Sequence, residues 1–203
     1  MRRPRRPMPS ASLAGAKPRS PPAMTDATRR ILDREEIRDV MARYCRAVDR
    51  ADWEAIREVY FADAYDDHGD YKGGVDGFIA FAKTRTGGAP QCMHFIGNCL
   101  IEFAGNDLAI VETYFMTAHT LGPKAQKEYG AGDGNSPVQL SSYGRYVDRM
   151  ERRGGKWGIA RRIVVFEATR TFTGNAPPLK PEWAQQRRDK DDPIFRMRAE
   201  AGL

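Results

Sequence analysis

The sequence predicts an α+β fold: a curved antiparallel sheet wrapped around three N-terminal helices, a cone-shaped barrel with a central pocket. Three observations carry that prediction. Apolar residues recur at helical spacing up to about residue 85, and from residue 92 onward they alternate with period two. Glycine-containing turns join the alternating runs. Helices first and an antiparallel sheet afterwards is the pattern of an α+β domain, and helices laid on the concave face of a bent sheet leave a pocket between the layers.

Taken in order, Ile37, Val40, Met41, Tyr44 and Val48 form one apolar stripe, which predicts a helix from Asp33 to Asp49. The run DRADW breaks it, and Asp52 is placed to cap a second helix from Trp53 to Phe61. The next stretch, ADAYDDHGDYKGG, is polar and reads as turn. VDGFIAFAKTR reads as a short third helix. Strands follow at 92–103, 108–120, 141–153 and 156–172, all rich in Val, Ile, Tyr and Phe. AGND and RRGGK are hairpin turns. The stretch LGPKAQKEYGAGDGNSPVQL is too long and glycine-rich for a tight hairpin and has the length of a lid or a disordered loop. Residues 28–172 are expected to form the domain, and 173–203 an extended arm with a short helix.

The net charge of +6 invites a nucleic-acid reading, but its location argues against one. Six of the 33 basic residues lie in the first 23 positions, which contain no acid, and the remaining 27 are matched by 27 acidic residues. The excess belongs to a Pro-, Ser- and Ala-rich stretch without the apolar surface to order itself. Residues 1–27 are therefore expected to be a disordered basic tail, and Met24 offers an alternative start. The tail lacks the apolar run of about 7–15 residues that a secretory signal needs, and nothing approaches the ~20 apolar residues of a membrane span. No nucleic-acid or membrane partner is expected. Cys45, Cys92 and Cys99 fall inside apolar patterns with no zinc-site spacing, as befits reduced core thiols in a cytoplasmic protein, and no metal is expected.

Few side chains remain that carry chemistry. His94 shares a strand face with Ile96, Asn98 and Leu100, so its ring points among apolar groups, where it either fills core space or acts as a base. Asp49 ends the first helix at the border of the buried stripe, where a carboxylate needs a partner or a place in solvent. Tyr44 lies at the centre of that stripe, about 140° around the helix from Asp49, so the two share a pocket only from its opposite shoulders or where the helix end unwinds. On the last strand Arg162 alternates with Ala160, Val164 and Phe166, and Arg161 with Ile159, Ile163 and Val165, so one arginine faces the concave side. His119 stands near a strand end beside the long loop, and His68, in DDHGD, reads as a solvated turn residue. There is no phosphate-binding loop, dinucleotide fingerprint or nucleophile elbow.

Three stretches, REEIRDVMARYCRAVDRADWEAIREVYFADA, MHFIGNCLIEFAGNDLAIVETYFMTAH and GRYVDRMERRGGKWGIARRIVVFE, resemble the SnoaL-like family of the nuclear-transport-factor-2-like superfamily over about residues 30–170. The pattern is most similar to that family's cofactor-free lyases, among them scytalone dehydratase, hexachlorocyclohexane dehydrochlorinase and bile-acid 7-dehydratases. In those an Asp at the end of the first helix pairs with a strand His that removes a proton. The resemblance places Asp49 and His94 on that pair, Tyr44 on a tyrosine five residues before the Asp, and Arg162 on an arginine that assists the leaving group.

The resemblance thus implies a dehydratase without cofactor, in which His94 is the general base, Asp49 orients it, Tyr44 donates a hydrogen bond and Arg162 steadies negative charge. Trp53, Tyr60, Phe78, Phe81, Phe115, His119, Tyr143 and Phe166 are the expected walls of a pocket for a hydrophobic hydroxysteroid or polyketide-like substrate. An isomerase or cyclase using the same proton abstraction, or a non-catalytic small-molecule binding protein, is the alternative. The resemblance also implies a homodimer or homotrimer built through the outer sheet face.

Overall fold

The computed structural model describes residues 25–173 and 179–203. The basic tail before Met24 and the start of the C-terminal arm at 174–178 lie outside the described residues. Helix α1 (Asp26–Asp49) opens on Thr25, whose side-chain oxygen accepts from the Thr28 amide at 3.2 Å. It begins two turns before the predicted Asp33 because tertiary contacts, not an apolar stripe, hold those turns. The Arg30 guanidinium lies 4.0 Å from the Phe103 ring centre and Arg34 bonds the Ile101 carbonyl at 3.1 Å. Asp33, 3% exposed, accepts from Trp157 Nε1 and Arg152. Farther along, Ile37, Val40, Met41, Tyr44 and Val48 are buried as the stripe predicts.

α2 (Trp53–Val59) stops two residues short of Phe61, and the chain passes straight into β1 (Tyr60–Asp67), followed by β2 (Lys72–Gly74) and α3 (Val75–Thr86). The polar turn expected here is thus a strand pair. Only Tyr60, Ala64 and Asp66 of β1 are buried, so no apolar run marks it. β1 runs parallel to the last strand, which makes the six-stranded sheet mixed rather than purely antiparallel. The other strands are β3 (Gln91–Phe103), β4 (Leu108–Leu121), β5 (Val138–Arg153) and β6 (Lys156–Thr173), in the order β2-β1-β6-β5-β4-β3. The long segment before β5 holds α4 (Pro123–Tyr129), and the C-terminal arm ends in α5 (Pro193–Glu200), capped by the Asp192 side chain.

Bulges bend these long strands and move residues between faces. One lies between Ile96 and Cys99 of β3, so Cys99 and Ile101 face inward, whereas Leu100 is 57% exposed and Asn98 is exposed too. The expectation that both share the His94 face is corrected. A second, at Ala160, puts Ile159 and Arg162 on the same inner face, and a third adds Glu167 after Phe166. α1 packs on β3 and β6 across the concave face, and the core lies between them. Met93, Phe95, Tyr114 and Met116 stay exposed on the outer face. No described helix is long and apolar enough to cross a membrane.

Candidate active site

β3 brings His94 over the end of α1. The Asp49 carboxylate receives three donors there: His94 Nδ1 on Oδ1 at 2.6 Å, the His94 amide on Oδ2 at 3.0 Å, and the Cys92 thiol on Oδ1 at 3.5 Å. With Nδ1–H given to the carboxylate, the lone pair rests on Nε2, the nitrogen a base uses. Asp49 is 7% exposed and stands behind His94, which itself lines the cavity. The His94 ring meets Tyr44 edge-on at 6.4 Å. Tyr44 and His94 line the cavity and Asp49 does not, so the carboxylate reaches it only through the histidine ring.

Arg162 lies one layer deeper than expected. It is fully buried, forms a two-point ion pair with Asp148 at 2.7 and 2.8 Å, and lies 4.1 and 4.2 Å from the ring centres of Tyr44 and Tyr146. Asp148 stands directly opposite it on β5. Arg162 faces the concave side, but the two tyrosines cover it and it is not on the cavity wall. Burial drives the Tyr44 hydroxyl well above its ordinary range, against the pull of the Arg162 charge beneath it. Tyr44 is accordingly a neutral hydrogen-bond donor.

The cavity holds about 500 Å³, within the range of small-molecule sites. Phe78, Phe81, Phe115, Phe166 and His119 line it as expected. Trp53, Tyr60 and Tyr143 do not. Trp53 is half-buried against the core, Tyr60 is buried behind the wall, and Tyr143 has the outward parity on β5. The inward β5 positions alternate from Val138 to Met150 and include Ser142, Gly144, Tyr146 and Asp148, so Tyr146 takes the place assigned to Tyr143 and stacks on Phe115 at 4.5 Å. A Cβ at Gly144 would overlap the Val165 carbonyl and come within 2.9 Å of Phe115 Cζ, so this glycine lets that ring lie flat on the strand.

The SnoaL-like domain model matches residues 29–163, two thirds of the chain. This protein belongs to the SnoaL-like family. Among solved structures it resembles a putative scytalone dehydratase from Novosphingobium aromaticivorans (18% identity, 74% of this chain and 94% of that one, TM-score 0.60). It also resembles a type 3 hexachlorocyclohexane dehydrochlorinase from Novosphingobium barchaimii (19% identity, 75% and 100%, TM-score 0.59). A protein of unknown function from Mycobacterium tuberculosis matches to a similar degree (20% identity, 72% and 78%, TM-score 0.57). At these identities the likeness establishes the fold. No curated protein sequence matches.

Around its cavity this SnoaL-like chain carries groups that the sequence reading passed over. His68, assigned to a solvated turn, lines the cavity and bonds Asp66, which is fully buried on β1. The Ala64, Asp66, His68 alternation was the available signal. From the C-terminal arm, Arg188 donates to the carbonyls of Val48 and Asp49 at 3.1 Å each, to Ala89 at 3.0 Å and to Thr86. It thereby caps α1 at Asp49. At the mouth, Arg85 bonds the Tyr129 hydroxyl of α4 and pairs with Asp70 at 3.5 Å.

Cys92, His94 and His119 place potential metal-ligand atoms within 4.8 Å of one another. His94 already gives Nδ1 to Asp49, and the Cys92 thiol donates to the same carboxylate. The Cys92 thiol is held well above its ordinary range, by burial first and then by Asp49. His119 is pushed down to about 3, by burial first and then by His94, and its Nε2 is buried without a partner. It is a neutral ring whose centre lies 5.7 Å from that of His94.

Proposed function

We propose that this protein is a cofactor-independent lyase, a dehydratase that removes a proton next to a carbonyl and expels water from a hydrophobic hydroxylated substrate. The observation that carries the reading is the 2.6 Å contact from His94 Nδ1 to Asp49, which leaves Nε2 as the base on the wall of an apolar cavity. His94 Nε2 takes the proton, and Asp49 stabilises the imidazolium as it forms. Tyr44 donates to the oxygen that gains charge. Arg162 acts through Tyr44 and Tyr146, as a buried cation under their rings. The dehydratase and dehydrochlorinase names among the structural neighbours support this reaction class. Phenylalanine walls around about 500 Å³ suit a hydroxysteroid or polyketide-like ligand.

We place the protein in the cytoplasm, where its three free thiols stay reduced. A second or third copy of the chain covering Met93, Phe95, Tyr114 and Met116 accounts for that exposed apolar face. The test of function is a mass-spectrometric screen of hydroxysteroids and aromatic polyketides incubated with purified protein. The expected result is a product lighter by one water. Products of unchanged mass would replace dehydration with isomerisation, and no product from any hydroxylated carbonyl compound would overturn the lyase reading.

A further inference from the structure

We propose that His68 is a second catalytic residue, the general acid that protonates the departing hydroxyl, held by its own buried carboxylate, Asp66; this rests on the dehydratase reading. His68 Nδ1 lies 2.9 Å from Asp66 Oδ1, and the Tyr60 hydroxyl donates to Asp66 Oδ2 at 2.6 Å. Asp66 has no solvent exposure, so both of its oxygens depend on these partners. With Nδ1 on the carboxylate, His68 Nε2 has no partner among the described residues and is not among their buried unpaired atoms, so it opens on the cavity that His94 also lines. The two histidines flank one pair of rings. His94 meets Tyr44 at 6.4 Å, Tyr44 meets Phe78 at 6.5 Å, and Phe78 stacks on His68 at 4.8 Å.

The arrangement repeats the Asp49–His94 unit on another wall, built from a different strand. The buried carboxylate fixes the ring through Nδ1 and leaves Nε2 as the nitrogen that can hand a proton to a group in the cavity. Asp67, beside the ring, is paired with Lys72 at 2.9 Å, and Asp148 with Arg162, so Asp66 is the carboxylate that faces the imidazole. In the elimination His94 Nε2 takes the proton next to the carbonyl, and the C–H electron pair becomes the new double bond. The C–O bond breaks, and His68 Nε2–H goes to the leaving oxygen as water. Both histidines then exchange one proton with solvent to reset.

Two probes separate acid from base: the aldol of acetone and benzaldehyde, and its para-nitrophenyl ether. Both eliminate to benzylideneacetone, but para-nitrophenoxide departs without a proton. His68→Gln should slow the aldol by about 10²-fold or more and the ether by less than about threefold. His94→Gln should slow both. Tyr60→Phe, which removes only the donor to Asp66, should show the same selectivity more weakly and keeps the test open should His68→Gln fold poorly. A wild-type protein active on the ether alone, or His68→Gln slowing both probes alike or neither, would overturn the second-acid proposal and leave the His94 reading standing. A wild-type protein inert to both probes would overturn this proposal, and one that also dehydrates nothing in the hydroxysteroid and polyketide screen would overturn the dehydratase reading with it.

Discussion

Asp49 holds His94 twice, through the ring nitrogen at 2.6 Å and through the backbone amide at 3.0 Å. The second bond fixes where β3 passes the end of α1, so the carboxylate positions both the strand and its side chain. The ring is oriented before any substrate arrives, which is what a general base requires.

Asp49→Asn should therefore lower kcat by about 10²–10⁴-fold with a much smaller change in KM, because an amide neither stabilises the imidazolium nor holds the tautomer. Steady-state kinetics on the screened substrate checks this. A rise in KM alone would assign Asp49 to substrate binding.

Arg188 joins the C-terminal arm to the same place through four backbone carbonyls. Arg188→Ala leaves those acceptors short of donors and should cost about 1–3 kcal/mol, read as a lower urea midpoint. It should also lower kcat, because the Asp49 end of α1 loses its cap. Deletion of residues 179–203 should do both more strongly.

Arg162→Met strands Asp148 without a counter-charge in a fully buried position and should destabilise by about 3–5 kcal/mol. The double variant with Asp148→Leu should recover much of that loss. Thermal melts of the two single variants and the double form the cycle that measures the pair. Full additivity would mean that the two groups do not support each other.

His119 makes stability depend on pH. Above its ordinary 6.5 the ring is neutral in folded and unfolded chains alike. Between 6.5 and about 3 the unfolded chain takes a proton that the folded one refuses, so stability falls as pH is lowered through this window and levels off below it. Urea unfolding at several pH values should show wild type losing more than His119→Phe across the window, and equal slopes would contradict the buried neutral ring.

Much of this site could be read from the sequence, because it depends on spacing within one element. Asp49 at the helix end, and Phe78 and Phe115 on periodic apolar faces, lie where periodicity puts them. Errors arose where a strand departs from strict alternation. The bulge after Ile96 turns Asn98 and Leu100 outward, and the one at Ala160 joins Ile159 to the face of Arg162. On β5 the parity of Leu140 and Met150 selects Tyr146 over Tyr143, a signal the sequence itself carries. β1 went unseen because Asp66 occupies an inward position that its Tyr60 and His68 partners make tolerable. Arg188 could not be read at all, since it reaches a carbonyl 139 residues away and nothing local marks it.

The central claim is that His94 removes the substrate proton. The most direct measurement is the turnover by His94→Gln of a substrate that wild type dehydrates, alongside a melt showing that the variant is folded. The account predicts a loss of about 10²-fold or more. A folded variant that dehydrates within about threefold of the wild-type rate would contradict it, since base catalysis contributes far more than that.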